Sequence, residues 1–230
     1  NKQNGGNIML LEFKTKNYKS FVEEASFSMV AAPKQKGLDY SLMKTKIKGK
    51  EIKGLSSSVI YGPNAAGKTN IIGAMDVLRS IVLRGNIRNS EEKSSPNPAA
   101  SALELIPNNN ESEAKPVCFE IEFYEEDGEE HKFKIHYELQ IDLGTFLEEE
   151  YQRKILAEVL EVNGERVFER KEGLKVENLK VIKDYLSDIT QQNAESINEI
   201  AKNSLNQEEL FLTNGFKLIF SPKFTKLIVD

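Results

Sequence analysis

Gly62-Pro63-Asn64-Ala65-Ala66-Gly67-Lys68-Thr69 is the stretch of this 230-residue chain whose residue types and spacing carry chemistry. It fits G-x-x-x-x-G-K-[ST] at every fixed position. Glycines at both ends let successive backbone N–H groups turn into one concavity, a nest for phosphate oxygens. A helix starting near Gly67 aims its positive end at the same anion. Lys68 is the expected catalytic residue, reaching the β- and γ-phosphates. Thr69 is the expected metal ligand, its hydroxyl on Mg²⁺, and Asn70 completes the set. By chance the four fixed positions recur in roughly 1% of chains this long. ATP and Mg²⁺ are the expected cofactors.

Such a loop works only between a strand and a helix. Leu55 to Tyr61 reads LSSSVIY, whose apolar end predicts a buried strand. After the loop, Ile71, Ile72, Met75, Leu78, Ile81 and Val82 recur at helical spacing and predict a helix over Lys68–Arg84. Upstream, LEFKTKNY and ASFSMV predict short strands at Leu10–Tyr18 and Ala25–Val30. Pro33 to Lys53 is rich in Lys and Gly and predicts a loop or weak hairpin. Asn86 to Pro116 holds four prolines and predicts a flexible insertion with one short element at Ala102–Leu105. Val117–Tyr124 and His131–Asp142 alternate around Asp127-Gly128, a hairpin pattern. Asn163-Gly164 inside Leu156–Phe168 predicts a second hairpin with a type I′ turn. From Val176 the period turns helical, with Leu179, Ile182, Tyr185, Leu186 and Ile189 on one face and Ile197, Ile200, Ala201 and Leu205 on another. Leu210 to Phe220 predicts a third helix.

The order strand, MLLEFKTKNYKSF, then the loop GPNAAGKTN resembles the N-terminal half of ABC-type ATPases of the SMC, RecF and OLD group. It is most similar to the bacterial OLD-like AAA-family ATPases, many of them found in phage-defence systems. The Asn17-Tyr18-Lys19-Ser20-Phe21 turn and the P-loop carry the likeness. FEIEFYEEDGEEHKFKIHYELQID and ERVFER are similar to the family's antiparallel arm, and ELFLTNGF to the helical region after it. The resemblance implies an α/β fold of P-loop NTPase, ABC-ATPase type. It would have a mixed sheet, an antiparallel β meander and a C-terminal helical lobe. It also implies that Lys19 and Ser20 lie against the nucleotide, with Phe21 beside them. The implied activity is ATP hydrolysis in a sandwich of two nucleotide domains. The implied partners are a second copy or higher oligomer, an effector nuclease and DNA.

Other features of the family are not found. The sequence carries no S-x-G-type signature, and its one Walker B candidate is Leu227-Ile228-Val229-Asp230. Gln140, Gln191 and Gln192 compete for the role of Q-loop glutamine. The expectation is thus the N-terminal part of a longer ATPase: residues 1–8 a tail, 9–85 an ATP-binding lobe, 86–116 the insertion, 117–171 the arm and 172–230 the helical lobe. The competing reading is a nucleotide-binding interaction module that docks an effector and does not hydrolyse ATP alone. A P-loop kinase or GTPase fits less well, because no N-K-x-D motif is present and an antiparallel arm follows the P-loop helix.

Composition sets outer bounds. The net charge of −5 hides ten Lys against five acids over Met9–Gly54, and twenty acids against six bases over Glu91–Glu165. Solvated faces account for both, and the basic stretch could also serve as a phosphate or nucleic-acid surface. One cysteine, Cys118, excludes an internal disulfide and suits a cytoplasmic setting. No apolar run approaches the roughly 18 residues of a membrane span. His131 and His136 have no Cys partner nearby and sit at odd spacing, so no metal role is expected for them.

Overall fold

The computed structural model describes residues 8–33, 37, 39–63, 67–88, 103–109, 113–126, 131–146, 148, 151–186, 199, 202, 203 and 205–215. Seven strands form one sheet: β1 (Ile8–Lys16), β2 (Ala25–Ser28), β5 (Val117–Glu126), β6 (Lys132–Asp142), β7 (Lys154–Val162), β8 (Glu165–Arg170) and β9 (Leu174–Val176). Their spatial order is β2-β1-β5-β6-β7-β8-β9. A separate hairpin joins β3 (Leu42–Ile47) to β4 (Lys50–Leu55). Helix α1 spans Lys68–Arg84.

Strand pairing follows the alternation in the sequence. Phe13 faces Ile121 across β1 and β5, and Ile121 faces Tyr137 across β5 and β6. These residues line the face on which α1 packs. Ile71, Ala74, Leu78 and Ile81 of α1 share one core with Phe13, Phe119, Ile135, Leu139 and Leu160. The spacing of those helix residues puts them on one stripe, and full burial of each large one contributes about 1.5–3 kcal/mol. The helix ends where Gly85 turns left-handed at φ 73°, its N–H returning to the Ile81 carbonyl. The β3–β4 hairpin covers a smaller core of Met9, Leu11, Ile47 and Tyr124. At the β7–β8 turn, Asn163 and Gly164 take φ 55° and 78°, as a type I′ turn requires.

Two expectations about the sheet are corrected. The sheet was expected to be mixed, but every strand pairing among the described residues is antiparallel. The strand expected over Leu55–Tyr61 does not form, and β4 ends at Leu55. Beyond it the chain runs without ladder partners, and Val59 and Tyr61 are 82% and 90% exposed. A strand exists only where a neighbour supplies its hydrogen bonds, and residues 57–61 have no strand partner among the described residues, although Ile60 packs partly buried against the main core. The sheet also runs across the expected boundary between lobe and arm, since β1 pairs β5 over most of its length.

The helical period after Val176 appears as a 3₁₀ turn at Leu179–Tyr185, with Ile182, Tyr185 and Leu186 buried. Ile189, Ile197, Ile200, Ala201, residues 216–220 and most of the insertion lie outside the described residues. Residues 1–7 and Leu227 to Asp230 also lie outside them. Among the described residues no helix is long and apolar enough to cross a membrane.

The second face of the sheet is a ladder of charge. Lys14 pairs with Glu120 at 2.9 Å, Lys134 with Glu122 at 2.8 Å, and Arg166 with Glu161 at 3.1 Å. His136 bonds Glu138 at 2.9 Å and lies 3.9 Å from Glu120. The Glu138 bond raises the His136 pKa, burial opposes it, and Glu120 and Glu161 add to the rise. A histidine raised in the folded state contributes stability that is full below about 6.5 and lost as pH rises through the folded value. Wild type should therefore lose stability between about pH 6 and 8, by about 1 kcal/mol or less because Glu138 is partly solvated. His136→Gln should flatten that slope in urea unfolding at the two pH values; an unchanged slope removes the assignment.

Candidate functional site

The glycine-rich Gly62–Thr69 segment lies where the unpaired segment after β4 meets the start of α1. Lys68 turns its ammonium back over the loop. It donates to the carbonyls of Gly62 at 2.8 Å and Pro63 at 2.6 Å. A cation on two carbonyls at a loop mouth is poised to exchange them for phosphate oxygens. Asn64, Ala65 and Ala66 lie outside the described residues. Gly67 is left-handed at φ 83°, and a Cβ there would stand 2.9 Å from the Phe21 ring and 3.3 Å from Ser20 Oγ. Only glycine satisfies both the backbone and the close approach.

The Gly67 carbonyl accepts from the N–H groups of Asn70 and Ile71, at 3.0 and 3.1 Å. The N–H groups ahead of them have no helical acceptor and give this end its positive character. Thr69 is exposed in the first turn of the helix. The donor set is an ammonium, first-turn N–H groups and a hydroxyl, which fits a polyphosphate with a divalent cation.

The Asn17–Phe21 turn comes 46 residues before Gly67 in sequence at its last member, yet it packs on the same helix end. Tyr18 and Phe21 exchange backbone hydrogen bonds at 3.1 and 2.9 Å, which closes the turn. Asn17 and Lys19 sit at φ 53° and 48°, an uncommon conformation for residues other than glycine. Ser20 Oγ accepts from Asn70 Nδ2 at 2.6 Å. Of the two residues expected at the nucleotide from this turn, Ser20 is thus brought to the loop. Lys19 makes an ion pair with Glu104, its ammonium 5.5 Å from the centre of the Tyr18 ring. Burial lowers the Lys19 pKa, but Glu104 and Tyr18 outweigh it and the net shift is upward.

Sequence reasoning expected a short element at Ala102–Leu105 but missed that this segment holds the turn. Residues 103–109 run beside it. The Lys19 N–H donates to the Ile106 carbonyl at 3.0 Å, and the Asn108 N–H to the Asn17 carbonyl at 3.1 Å. Asn108 Nδ2 reaches the Lys19 carbonyl at 2.6 Å. Tyr18, wholly buried, donates its hydroxyl to the Glu104 carbonyl at 3.2 Å. Burial raises the Tyr18 pKa, which keeps the hydroxyl a donor. Nothing local signals these contacts, because Glu104 lies 85 positions from its partner. The alternation of Leu103, Glu104 and Leu105 was the one available clue.

The remaining candidates do not gather here. Gln140 lies on β6, beside Cys118 and Glu138 in a groove of about 170 Å³. Gln191, Gln192 and the Walker B candidate Leu227 to Asp230 lie outside the described residues. The Cys118 thiol is raised by burial and is no nucleophile at neutral pH. Among the described residues no group of three His, Cys, Asp or Glu side chains could hold a metal ion.

A family profile described as "AAA domain, putative AbiEii toxin, Type IV TA system" matches residues 57–212, about two thirds of the chain. No curated protein and no solved structure matches it significantly. The matched region opens just before the loop that Lys68 closes and runs through β5–β9 to the segment after them. With a nucleotide loop, its helix and the following antiparallel sheet inside one matched region, this chain belongs to that AAA-domain family, whose members are expected to bind ATP, usually with Mg²⁺.

Proposed function

We propose that this AAA domain binds ATP with Mg²⁺ at Gly62–Asn70 and is an ATPase of OLD-like or RecF-like ABC type. The observation that supports it best is the Lys68 ammonium held on the Gly62 and Pro63 carbonyls, beside the left-handed Gly67. Gly62, Pro63, Asn64, Ala65, Ala66 and Gly67 cradle the phosphates. Lys68 neutralises the β- and γ-phosphates, Thr69 lends its hydroxyl to Mg²⁺, and Asn70 fixes Ser20 at the rim. Lys19 and Ser20 face the nucleotide from the neighbouring turn. The metal, when bound, spreads the charge that develops between the β- and γ-phosphates. ATP bound between two such domains would draw them together, and hydrolysis would release them. That cycle suits driving an effector nuclease or a DNA-bound partner in phage defence or DNA maintenance.

Calorimetric titration tests the core of this reading. ATP should bind in the micromolar range, more tightly with Mg²⁺ than without. AMP, which lacks the β- and γ-phosphates, should bind at least 100-fold more weakly, because Lys68 and the helix end would have no partner. Equal affinity for AMP and ATP, or no ATP binding with or without Mg²⁺, would overturn it.

A further inference from the structure

Lys19 directly precedes Ser20, which meets Gly67 and Asn70 at the loop, and it pairs with Glu104, which belongs to neither the loop nor its helix. Glu104 is placed there by its neighbours. Leu103 and Leu105 are buried in the main core, 8% and 5% exposed. Their alternation turns the Glu104 side chain outward, 70% exposed. The Glu104 carbonyl is fixed by the Tyr18 hydroxyl, and the backbones of Lys19 and Ile106 are bonded at 3.0 Å. The carboxylate is therefore anchored against Lys19 by core packing on both sides. The Lys19 backbone is fixed as well, since its carbonyl is held by Asn108 and its neighbour Ser20 by Asn70.

A lysine clamped to a carboxylate presents almost no net charge to an approaching anion. The next residue, Ser20, is already against Gly67 and Asn70. We propose that Glu104 acts as an internal competitor for the nucleotide's phosphates, holding Lys19 and thereby setting the affinity of the loop. ATP must draw the Lys19 ammonium away from Glu104 to gain it. The inference rests on the ATP-binding reading above.

The test is a titration with fluorescent ribose-labelled ATP and Mg²⁺ on wild type, Glu104→Gln, Lys19→Ala and the double variant. Glu104→Gln keeps the side-chain shape and leaves the backbone bond to Tyr18, so the fold should hold, as a thermal melt will show. At low ionic strength Glu104→Gln should bind about two- to five-fold more tightly, the range expected for release of a partly exposed ion pair. The gain should shrink in high salt. It should also disappear in the Lys19→Ala background, because competition needs the lysine. A purely structural role for Glu104 predicts equal or weaker binding in Glu104→Gln, and that result overturns the proposal. An undiminished gain without Lys19 assigns the effect to bare charge repulsion and overturns it too. Tight wild-type binding with an unresponsive Glu104→Gln removes this inference alone; no binding by any variant removes the ATP reading with it.

Discussion

Lys68→Ala should weaken ATP binding by about 100-fold and leave thermal unfolding within a degree or two of wild type. The two halves of this expectation have separate causes. Among the described residues the Lys68 ammonium bonds the Gly62 and Pro63 carbonyls, at a solvated loop. Substitutions at such exposed positions change stability by about 0.5 kcal/mol or less. On nucleotide the same ammonium makes charge-assisted bonds to phosphate oxygens, each contributing about 1.5–3 kcal/mol. One or two of them account for a loss on the order of 100-fold. Arginine should not rescue it, since a planar fork does not fit a cradle shaped for a compact ammonium. Calorimetry with ATP and a thermal melt on the same sample decide the matter. Unchanged affinity would remove Lys68 from the site. A collapsed melt would make it a structural residue instead.

Elements written by local chemistry were legible in the sequence. Helix α1 runs over the predicted Lys68–Arg84 because its apolar stripe and the flanking Gly67 and Gly85 are all local signals. The Asn163-Gly164 hairpin was readable for the same reason. What depends on a distant partner was not. The Val59-Ile60-Tyr61 run looks like a buried strand, but burial needs a neighbour, and Tyr61 stands in solvent. The β3–β4 hairpin was expected over Pro33–Lys53 as a loop or weak hairpin, but not where it packs, with Ile47 on Met9 and Tyr124. The P-loop was legible as a pattern, and the turn bearing Ser20 through a resemblance. Glu104 was invisible, because its role exists only once residues far apart in sequence are folded together. Glu158 was hidden by a break in period. In β7, pairing with β6 shifts between Gln140 and Ile141, so Leu156 is pushed outward while Ile155 and Glu158 both lie inward. An alternating reading sends one of these two to solvent.

Glu158→Ala should therefore lower stability by about 3–5 kcal/mol, the usual cost of stripping one partner from a buried charge cluster. For a chain of this size that is about a 10 °C fall in Tm. Glu158 is 0% exposed. Its carboxylate accepts the N–H groups of Phe211 and Leu212 at 2.7 and 2.8 Å and the Tyr137 hydroxyl at 3.0 Å. Arg170 stands 3.7 Å away and donates to the carbonyls of Glu209, at 2.7 Å, and Asn206. The cluster thus pins residues 206–212 to the sheet. That segment also holds the end of α1, since the Gly85 carbonyl accepts the Leu210 N–H at 2.9 Å and Asn214 Nδ2 at 2.8 Å. Alanine leaves two N–H groups and a hydroxyl without their acceptor, and Arg170 without its counter-charge. Burial raises the Glu158 pKa, and the two N–H groups, Arg170 and Tyr137 pull against it without cancelling it. Its contribution to stability is then full below about 4.5 and declines as pH rises through the raised folded value. Glu158→Gln keeps one acceptor oxygen and cannot titrate. It should cost less than alanine at neutral pH and remove that part of the pH slope. Urea unfolding at pH 5 and pH 7, with hydrogen exchange at Leu210–Thr213, measures both effects. An alanine variant within about 1 kcal/mol of wild type would mean that the segment is held by the packing of Phe211 on Phe168, with the charge cluster incidental.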